Sequence, residues 1–370
     1  MEMLSKELIS HFAFEGEYFY SEPFGCGHIN STYAVYFKFE TKPVRRYIMQ
    51  RINTDIFKDA DALMENINGV TSFLRRKIIE NGGDPERETL TIVPTADGRL
   101  YWRDAEGGCW RAYIFIENAT SYQTVERPVL FSNAAAAFGR FQRLLADYPA
   151  AGLHETIPNF HNTVSRFADF KASVAADKVG RAKSVQKEIQ FILDRESDYS
   201  VIVDALADGS LPLRVTHNDT KLNNIMMDNA TDEAVCVIDL DTVMPGSALY
   251  DFGDSIRFGA SSAAEDETDL DKVYMVPELF EAYTEGFLRE AGDAMTQKEL
   301  DLLAMSAKIM TVECGMRFLA DYLDGDVYFR VHREGHNLDR ARTQLKLVAD
   351  MEDKMDEMAR IVSGVAGCAK

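Results

Sequence analysis

The sequence is short of positive charge. It carries 40 Lys and Arg residues against 60 Asp and Glu residues, which gives a formal net charge of −20. A surface of that sign repels polyanions, so we expect neither nucleic acid nor an anionic membrane as a partner. The same excess of carboxylates means that any site for a phosphate compound needs its own basic groups or metal ions.

Cysteine pairs and long apolar segments are also missing. No run approaches the roughly 18 apolar residues that cross a bilayer. The first residues lack the basic and then apolar pattern of a secretion signal. The cysteines stand far apart and form no C-x-x-C pair, which favours a cytoplasmic protein with reduced thiols. They are Cys26, Cys109, Cys236, Cys314 and Cys368.

The length and the apolar content of the chain are sufficient for two lobes. Its 370 residues are 46% hydrophobic, which is ordinary for a globular protein and ample for a core. We predict an α+β fold in which residues 1–117 form a small antiparallel sheet with one long helix over 56–80. Residues 118–370 are expected to be mostly helical. The main helices predicted there cover 127–148, 183–206, 277–291, 297–323 and 337–363.

One stretch, residues 217–246, carries the strongest chemical signal. His217, Asp219 and Asn224 fit the pattern H-x-D-x-x-x-x-N, and Asp239 follows at the end of an apolar run. Kinases that hold ATP through two metal ions use this arrangement. One carboxylate receives or orients the hydroxyl proton, an amide oxygen holds a metal, and a second carboxylate bridges metals and phosphates. The alternative interpretation is an acidic surface hairpin, since Asp and Asn are common in turns.

The spacing within this stretch also predicts a β-hairpin. Two short apolar runs, 225–227 and 234–238, flank a segment rich in turn-forming residues. A hairpin returns the chain to its starting point, so Asn224 and Asp239 are expected side by side, with Asp219 on the preceding loop. Such oxygen ligands suit Mg²⁺, which takes carboxylates, amide oxygens, waters and substrate phosphates.

A glycine loop precedes two predicted strands near the N-terminus. Gly25 and Gly27 allow a backbone to approach phosphates closely, and the polar residues His28 and Asn30 can donate hydrogen bonds to them. A lone G-x-G is a weak signal, and an ordinary tight turn is the alternative. The position of the loop ahead of two strands favours a nucleotide site.

No lysine stands on the third predicted strand, where protein kinases place the one that grips phosphate. Gln50 and Arg51 occupy that region, and Arg51 is a candidate because a guanidinium binds phosphate well. Strand alternation sends the two side chains to opposite faces, and the sequence leaves open which one faces the nucleotide. Glu65 is the candidate partner of the cation, or else a solvent-facing acid. Glu117 and the residues after it would offer backbone groups to an adenine edge.

These motifs together resemble the aminoglycoside phosphotransferase superfamily, small-molecule kinases with a protein-kinase-like fold. The resemblance lies in the loop 217–224, in Ile238-Asp239 and in Tyr250-Asp251. It covers most of the chain and implies a bilobal fold, with a small antiparallel-sheet N-lobe and a larger helical C-lobe. The stretches similar to a narrower group, the N-acetylhexosamine 1-kinases, are 24–33, 47–53, 216–225 and 313–329.

The resemblance implies a reaction and a set of roles. ATP- and Mg²⁺-dependent transfer of the γ-phosphoryl group would go to the anomeric hydroxyl of N-acetylglucosamine or N-acetylgalactosamine. Asp219 would be the catalytic base, and Asn224 and Asp239 would hold the metals. Arg317 and Tyr328 match a family arginine and tyrosine that contact the sugar.

Two positions depart from the protein-kinase pattern. Asn30 replaces the third glycine of the loop, and residues 239–241 read D-L-D instead of D-F-G. The family shares both departures, so neither argues against activity. His28 is a softer candidate for the sugar or nucleotide site.

Two other functions remain open from the residues alone. A kinase of the same superfamily could act on another hydroxyl, such as that of choline, an aminoglycoside or homoserine. A cationic acceptor of that kind would suit the acidic balance of the chain. A non-catalytic nucleotide-binding protein of kinase fold is the second alternative, and the missing strand lysine is its chief support.

Overall fold

The chain folds into a sheet-containing N-terminal region and a larger helical C-terminal region. A computed structural model describes residues 4–25, 29–125 and 127–368. Cys26, Gly27 and His28 lie outside the described residues, as does the side chain of Cys368, so what the sequence predicts for them stays a prediction. The two-part architecture confirms the predicted α+β, kinase-like fold class.

The N-terminal region is built on one antiparallel sheet. Its strands pair in the order β1-β2-β3-β6-β4, and β5 also pairs with β6. The elements are α1 (Lys6–Ser10), β1 (Glu17–Pro23), β2 (Ser31–Lys38), β3 (Arg45–Ile52), α2 (Ala60–Glu80), α3 (Pro85–Glu88), β4 (Ile92–Val93), β5 (Trp102–Arg103) and β6 (Cys109–Ile114).

The two faces of this sheet have different partners. Val35, Tyr47 and Met49 are buried on the outer face, in the cluster that also receives α1. Helix α2 packs on the other face. It begins at Ala60, four residues later than predicted, because the Asp59 side chain accepts a hydrogen bond from the third residue of the helix and caps its start.

The C-terminal region contains most of the helices and two small sheets. Its elements are β7 (Ala119–Thr120), α4 (Pro128–Leu144), α5 (Thr163–Ala176), α6 (Gln186–Leu193), α7 (Val201–Ala207), β8 (Arg214–Thr216), β9 (Ile225–Asp228), β10 (Ala234–Val237), β11 (Met244–Gly246), α8 (Ala248–Gly259), α9 (Pro277–Ala291), α10 (Gln297–Asp324), α11 (His336–Asp353) and α12 (Met355–Cys368). Helix α10 is buried along most of its length and packs against α5, α8, α11 and α12.

The small sheets position the chemically important loops. Strands β9 and β10 form the predicted hairpin, and β7 adds a third strand beside β9. Strands β8 and β11 pair next to it. The chain therefore passes from the first sheet to the second between residues 114 and 119.

Two of the predicted long helices are interrupted. The segment predicted as one helix over 183–206 divides into short 3₁₀ turns, α6 and α7. The break is fixed from outside the segment, because Arg195 binds Glu352 of α11 with both ends of its guanidinium. The helix predicted over 337–363 stops at Asp353 and restarts at Met355. No helix within the described ranges is both long and apolar enough to cross a membrane.

Candidate active site

Hydrogen bonds to the first turn of α8 hold the loop that carries Asp219. The buried carboxylate of Asp251 accepts hydrogen bonds from the backbone N–H groups of His217, at 3.0 Å, and Asn218, at 2.8 Å. Gln142 donates to the same carboxylate at 2.8 Å. Because Asn218 adopts a left-handed backbone conformation, with a φ of 66°, these bonds fix a turn that would otherwise be strained.

The hairpin brings Asn224 and Asp239 together at one end. The N–H group of Ile238 donates to the carbonyl oxygen of Asn224 at 2.9 Å. The His217 ring donates through Nε2 to the carbonyl oxygen of Ile238 at 2.8 Å. The next residue, Asp239, turns sharply with a φ of 59°. Its position is therefore set by backbone bonds to both neighbouring segments.

Asp219 is held by two donors and remains partly open to solvent. The amide nitrogen of Asn224 donates to Asp219 Oδ2 at 3.1 Å, and Lys221 Nζ lies 2.8 Å from Oδ1. Burial lowers the pKa of Lys221, but the nearby carboxylates of Asp219 and Asp254 more than offset this and raise it. Lys221 therefore stays charged beside Asp219, whose side chain is 27% exposed.

Asp239 lies in a concentration of negative charge. Its pKa is raised to about 6, first by the loss of hydration among the surrounding protein atoms and then by repulsion from Asp241 and Asp219. The side chain is nevertheless accessible to solvent. A cation bound there would relieve the repulsion.

The oxygen atoms available here fit a hard divalent cation that shares its coordination with phosphates and water. The side-chain nitrogen of Asn224 donates to Asp219, so the side-chain oxygen of Asn224 is left for a metal. Across the described part of the chain, no three His, Cys, Asp or Glu side chains form a closed metal cage. An incomplete protein shell is what Mg²⁺ uses when substrate phosphates complete it.

One buried cation on the cleft side of the sheet is Arg111 of β6. It is 1% exposed, and its NH1 atom lies 2.5 Å from Asp241 Oδ1. Its Nε donates to Gln50 Oε1 at 3.0 Å, since the register places Gln50 directly opposite Arg111. Asn30 donates to the second oxygen of Asp241 at 2.6 Å. Asp241 is thereby bound to the sheet and to the residue that follows the glycine loop.

Two expectations from the sequence are corrected by these contacts, and for Glu65 the contacts favour the solvent-facing alternative. Arg51 cannot grip phosphates from its position, because it lies opposite Trp110 on the outer face of the sheet and packs against Gly108. Glu65 does not pair with a cleft cation; it is exposed and lies 2.7 Å from His154. The Asn30 side chain is not free for phosphate, since its oxygen accepts from the backbone of Asn53 while its nitrogen binds Asp241.

The connection between the two regions is held by side chains on both sides. The Glu117 carboxylate is bound by Arg46, which stacks 3.7 Å from the Phe115 ring centroid. Arg87 donates to the carbonyl oxygen of Asn118 at 3.3 Å and to Asp228 at 2.6 Å. Because the Glu117 side chain is engaged, any contact of this residue with a nucleotide would involve its backbone.

Gly25, the described glycine of the predicted phosphate loop, has a φ of 78°, which a glycine accepts readily.

The second group of candidate residues surrounds Arg317 on α10. Its guanidinium lies 5.5 Å from the ring centroids of Phe160 and Phe329 and 5.9 Å from that of Tyr328. Among the residues that the structure describes, none forms a hydrogen bond or ion pair with this guanidinium. Tyr328 is 66% exposed. The arrangement leaves five N–H donors beside an aromatic surface.

The loop that carries Tyr328 is anchored by Asp321. This buried carboxylate accepts backbone hydrogen bonds from Val327, Tyr328 and Phe329 at 2.9, 2.8 and 3.0 Å. Asn337 of α11 donates to it as well, at 2.8 Å. One side chain thus folds the whole loop against α10 and places Tyr328 near Arg317.

A buried histidine links this second group to the Asp219 loop. His161 Nδ1 lies 2.8 Å from Glu313, one helical turn before Arg317, and Nε2 lies 3.4 Å from the carbonyl oxygen of Asn218. Thr163 also donates to Glu313, at 2.6 Å. Burial raises the pKa of Glu313, but His161 and these hydrogen bonds outweigh it and lower the pKa. Glu313 and His161 therefore connect the two groups.

The roles of several residues of this site were not predicted from the sequence. Arg111 had a signal, because it is the one charged residue in the apolar run from 109 to 116, but only the strand register shows that it faces the cleft. Asp321 had no distinct signal, because acidic residues are common along the exposed face of a helix. Its three backbone partners depend on a loop conformation that no local pattern predicts.

Comparison with known proteins agrees with this geometry. The model of the phosphotransferase enzyme family matches residues 22–292, which include the glycine loop, the Asp219 loop and Asp239. The fold is similar to that of an aminoglycoside phosphotransferase from Alicyclobacillus acidocaldarius, with a TM-score of 0.63 and 12% identity. That alignment covers 99% of this chain and 97% of the other.

Two further solved structures share the fold at low identity. A microcompartment-associated aminopropanol kinase gives a TM-score of 0.57 at 14% identity, over 95% of this chain and 97% of its own. An amicoumacin kinase in complex with AMP-PNP and Ca²⁺ gives 0.57 at 13% identity, over 94% and 91%. At such identities the likeness concerns the fold alone.

Proposed function

The chain belongs to the phosphotransferase enzyme family, and from that premise we propose that it transfers the γ-phosphoryl group of ATP to the anomeric hydroxyl of an N-acetylhexosamine. The products would be a sugar 1-phosphate and ADP. The family supports phosphoryl transfer, and the proposal for the acceptor depends on the residues around Arg317.

The observation that carries the sugar proposal is the guanidinium of Arg317, which lies among three aromatic rings and has no hydrogen-bond or ion-pair partner in the described part of the chain. A sugar presents hydroxyl and amide oxygens at its edge and C–H groups on its face. Fixed N–H donors beside aromatic surfaces match both features. Tyr328 stands exposed on the loop that Asp321 anchors, where it could cover a bound ring.

The charge of this region argues against a cationic acceptor such as choline or an amino alcohol. Arg166 lies near Arg317, and its pKa is lowered by burial and further by the positive charge of Arg317. Glu313, the acid one turn away, is engaged by His161 and Thr163. A neutral acceptor with oxygen acceptors suits such a site better than an ammonium group does.

We assign the nucleotide side to Asn224 and Asp239, which would hold Mg²⁺ on the phosphates of ATP. The metal, when bound, supplies positive charge that stabilises the transferring phosphoryl group. Gly25, together with Gly27 and His28, which lie outside the described residues, would form the phosphate-binding loop. The backbone near Glu117 would meet the base.

Asp219 is the proposed catalytic base. In the transfer, the anomeric hydroxyl oxygen bonds to the γ-phosphorus while the bond from that phosphorus to the bridging oxygen of ADP breaks. The hydroxyl proton passes to Asp219, which Asn224 and Lys221 hold in place. Alignment and charge stabilisation then supply most of the rate enhancement.

A screen of ADP release tests the proposal. N-acetylhexosamines, hexoses, choline, an aminoglycoside and homoserine are compared with Mg²⁺ and with EDTA, and the product is identified by ³¹P NMR. We expect release with free N-acetylhexosamines and Mg²⁺ only. The methyl glycoside of the best sugar is the matched control, because its anomeric hydroxyl is blocked. Turnover of that glycoside, or of choline in place of the sugars, would overturn the assignment. Nucleotide binding without any acceptor-stimulated release would favour a non-catalytic role.

A further inference from the structure

The cleft face of the sheet lacks the lysine that kinases of known mechanism use on their third strand. Strands β2, β3 and β6 contain one lysine, Lys38, which lies at the end of β2 and pairs with Glu17 at the surface. Two guanidinium groups occupy the cleft face instead. Arg46 is committed to Glu117 near the connection between the regions, and Arg111 lies deeper, beside Asp241.

We propose that Arg111 is a positioning residue of the nucleotide site, which fixes Asp241 and with it the turn that carries the proposed metal ligand Asp239. This inference rests on the proposed nucleotide site but does not depend on which acceptor is phosphorylated. It differs from the usual arrangement because the cation comes from another strand and binds the metal-binding turn instead of a helix glutamate.

The geometry shows why Arg111 acts through Asp241 and not on phosphate. Its guanidinium is 1% exposed and is engaged by Asp241 and Gln50, so no face of it is open to a ligand. Gln50 in turn donates to Thr32 of β2 at 3.0 Å. The polar contacts thus run across three adjacent strands and end on Asp241.

The turn that carries Asp239 is held on one side by hydrogen bonds between Thr242 and the Asp219 loop, and on the other side by the contacts of Asp241. Asp239 has a left-handed conformation, and residues 240–242 form a single 3₁₀ turn. Asp241 is therefore two residues from the proposed ligand, in the same short segment. Loss of Arg111 would leave the Asp241 carboxylate buried with Asn30 as its remaining described side-chain donor. Its uncompensated charge would then repel Asp239 and the phosphates, or the turn would move.

Calorimetric titration with AMP-PNP tests this role without any acceptor. The unmodified protein, Arg111→Met and Arg111→Lys are titrated once with excess Mg²⁺ and once with EDTA. We expect Arg111→Met to lose about tenfold or more in affinity with Mg²⁺ but no more than about threefold with EDTA, as for loss of one charged contact. Arg111→Lys keeps the charge but cannot reach Asp241 and Gln50 together, so its loss should be intermediate. If Arg111→Met does not fold, the affinities of Arg111→Lys with and without Mg²⁺ still test the role of Arg111.

Arg214→Met is the matched control, because Arg214 is also buried and binds a buried carboxylate, Glu299, with both ends of its guanidinium. We expect it to lower the melting temperature as Arg111→Met does, while the ratio of affinities with and without Mg²⁺ stays that of the unmodified protein. Equal ratios in Arg111→Met and Arg214→Met would reduce Arg111 to a structural role. Failure of the unmodified protein to bind AMP-PNP would instead overturn the proposed function, and this inference with it.

Discussion

Two arginines of the same site, Arg111 and Arg317, are treated by the fold in opposite ways. Arg111 is buried and bound by Asp241 and Gln50. Arg317 lies among aromatic rings, and the described residues offer it no hydrogen bond or ion pair. The difference suggests a division of labour. On the proposed nucleotide side, positive charge fixes carboxylates within the protein, whereas on the proposed acceptor side it is left for a ligand.

The largest effect is expected at Asp219, where the two sides meet. Asp219→Asn removes the proposed base but keeps an oxygen for the Asn224 amide, so the loop should remain folded. We expect kcat to fall by about 10³-fold, within the range typical of a lost general base. Steady-state kinetics and AMP-PNP binding are the measurements. Turnover near that of the unmodified protein, with binding intact, would show that Asp219 takes no part in the chemistry. Asp219 would then not be the point where the two sides meet.

A smaller effect at Arg317 would sharpen the contrast with Arg111. Arg317→Ala removes donors that none of the described residues uses, so the melting temperature should change little. The KM for the acceptor should rise by about 10- to 100-fold, which corresponds to roughly 1.5–3 kcal/mol for hydrogen bonds to a charged group. The KM for ATP should stay within about twofold of the original value.

The control for Arg317 is Arg76→Ala. Arg76 lies 4.6 Å from the Phe73 ring centroid on α2, in the N-terminal region, and does not belong to the ring group around Arg317. It should leave the acceptor KM unchanged. An equal rise of the KM for ATP and for the acceptor in Arg317→Ala would show that Arg317 does not serve the acceptor specifically.

The smallest effect concerns the ligand-free protein and its pH dependence. The folded pKa of Asp239 is raised to about 6, above its ordinary value of about 3.9, so its ionisation destabilises the folded state at neutral pH. That cost disappears as the pH falls from about 6 towards 4. Asp239→Asn should therefore stabilise the metal-free protein at pH 7, by at most about 1 kcal/mol because solvent screens the exposed carboxylate.

Asp228→Asn should have the opposite effect and destabilise the protein at pH 7. Its hydrogen bond with Arg87, followed by backbone hydrogen bonds, lowers the pKa of Asp228 to about 2. The stability that this carboxylate adds is present above about pH 4 and is lost as the pH falls towards 2. Thermal melts in EDTA at pH 7 and about pH 4.5 measure Asp239→Asn, and melts at pH 7 and about pH 2.5 measure Asp228→Asn. A lower melting temperature for Asp239→Asn at pH 7 would contradict the proposed crowding of charge in the cleft.

Local patterns in the sequence were enough for the hairpin and the positions around it. The alternation of apolar runs with Asp and Asn residues between 225 and 238 predicted β9 and β10, because turn residues and strand residues differ in their backbone preferences. The helix over 277–291 was predicted with the bounds that it has, since Pro277 occupies its first turn. The broken helix over 183–206 was missed, because the residue that breaks it, Arg195, binds a partner more than 150 positions away.

The sequence by itself determined the chemical inventory: the H-x-D-x-x-x-x-N loop, the second aspartate at the hairpin end and the excess of carboxylates that a cation must balance. The tertiary structure alone decided which basic side chains serve them. Gln50 and Arg51 differ by one position, and strand alternation gives them opposite faces, but the pairing of β3 with β6 selects the cleft face and brings Arg111 to Asp241. Pairing register and long-range ion pairs depend on contacts between distant segments, and local propensity contains no information about them.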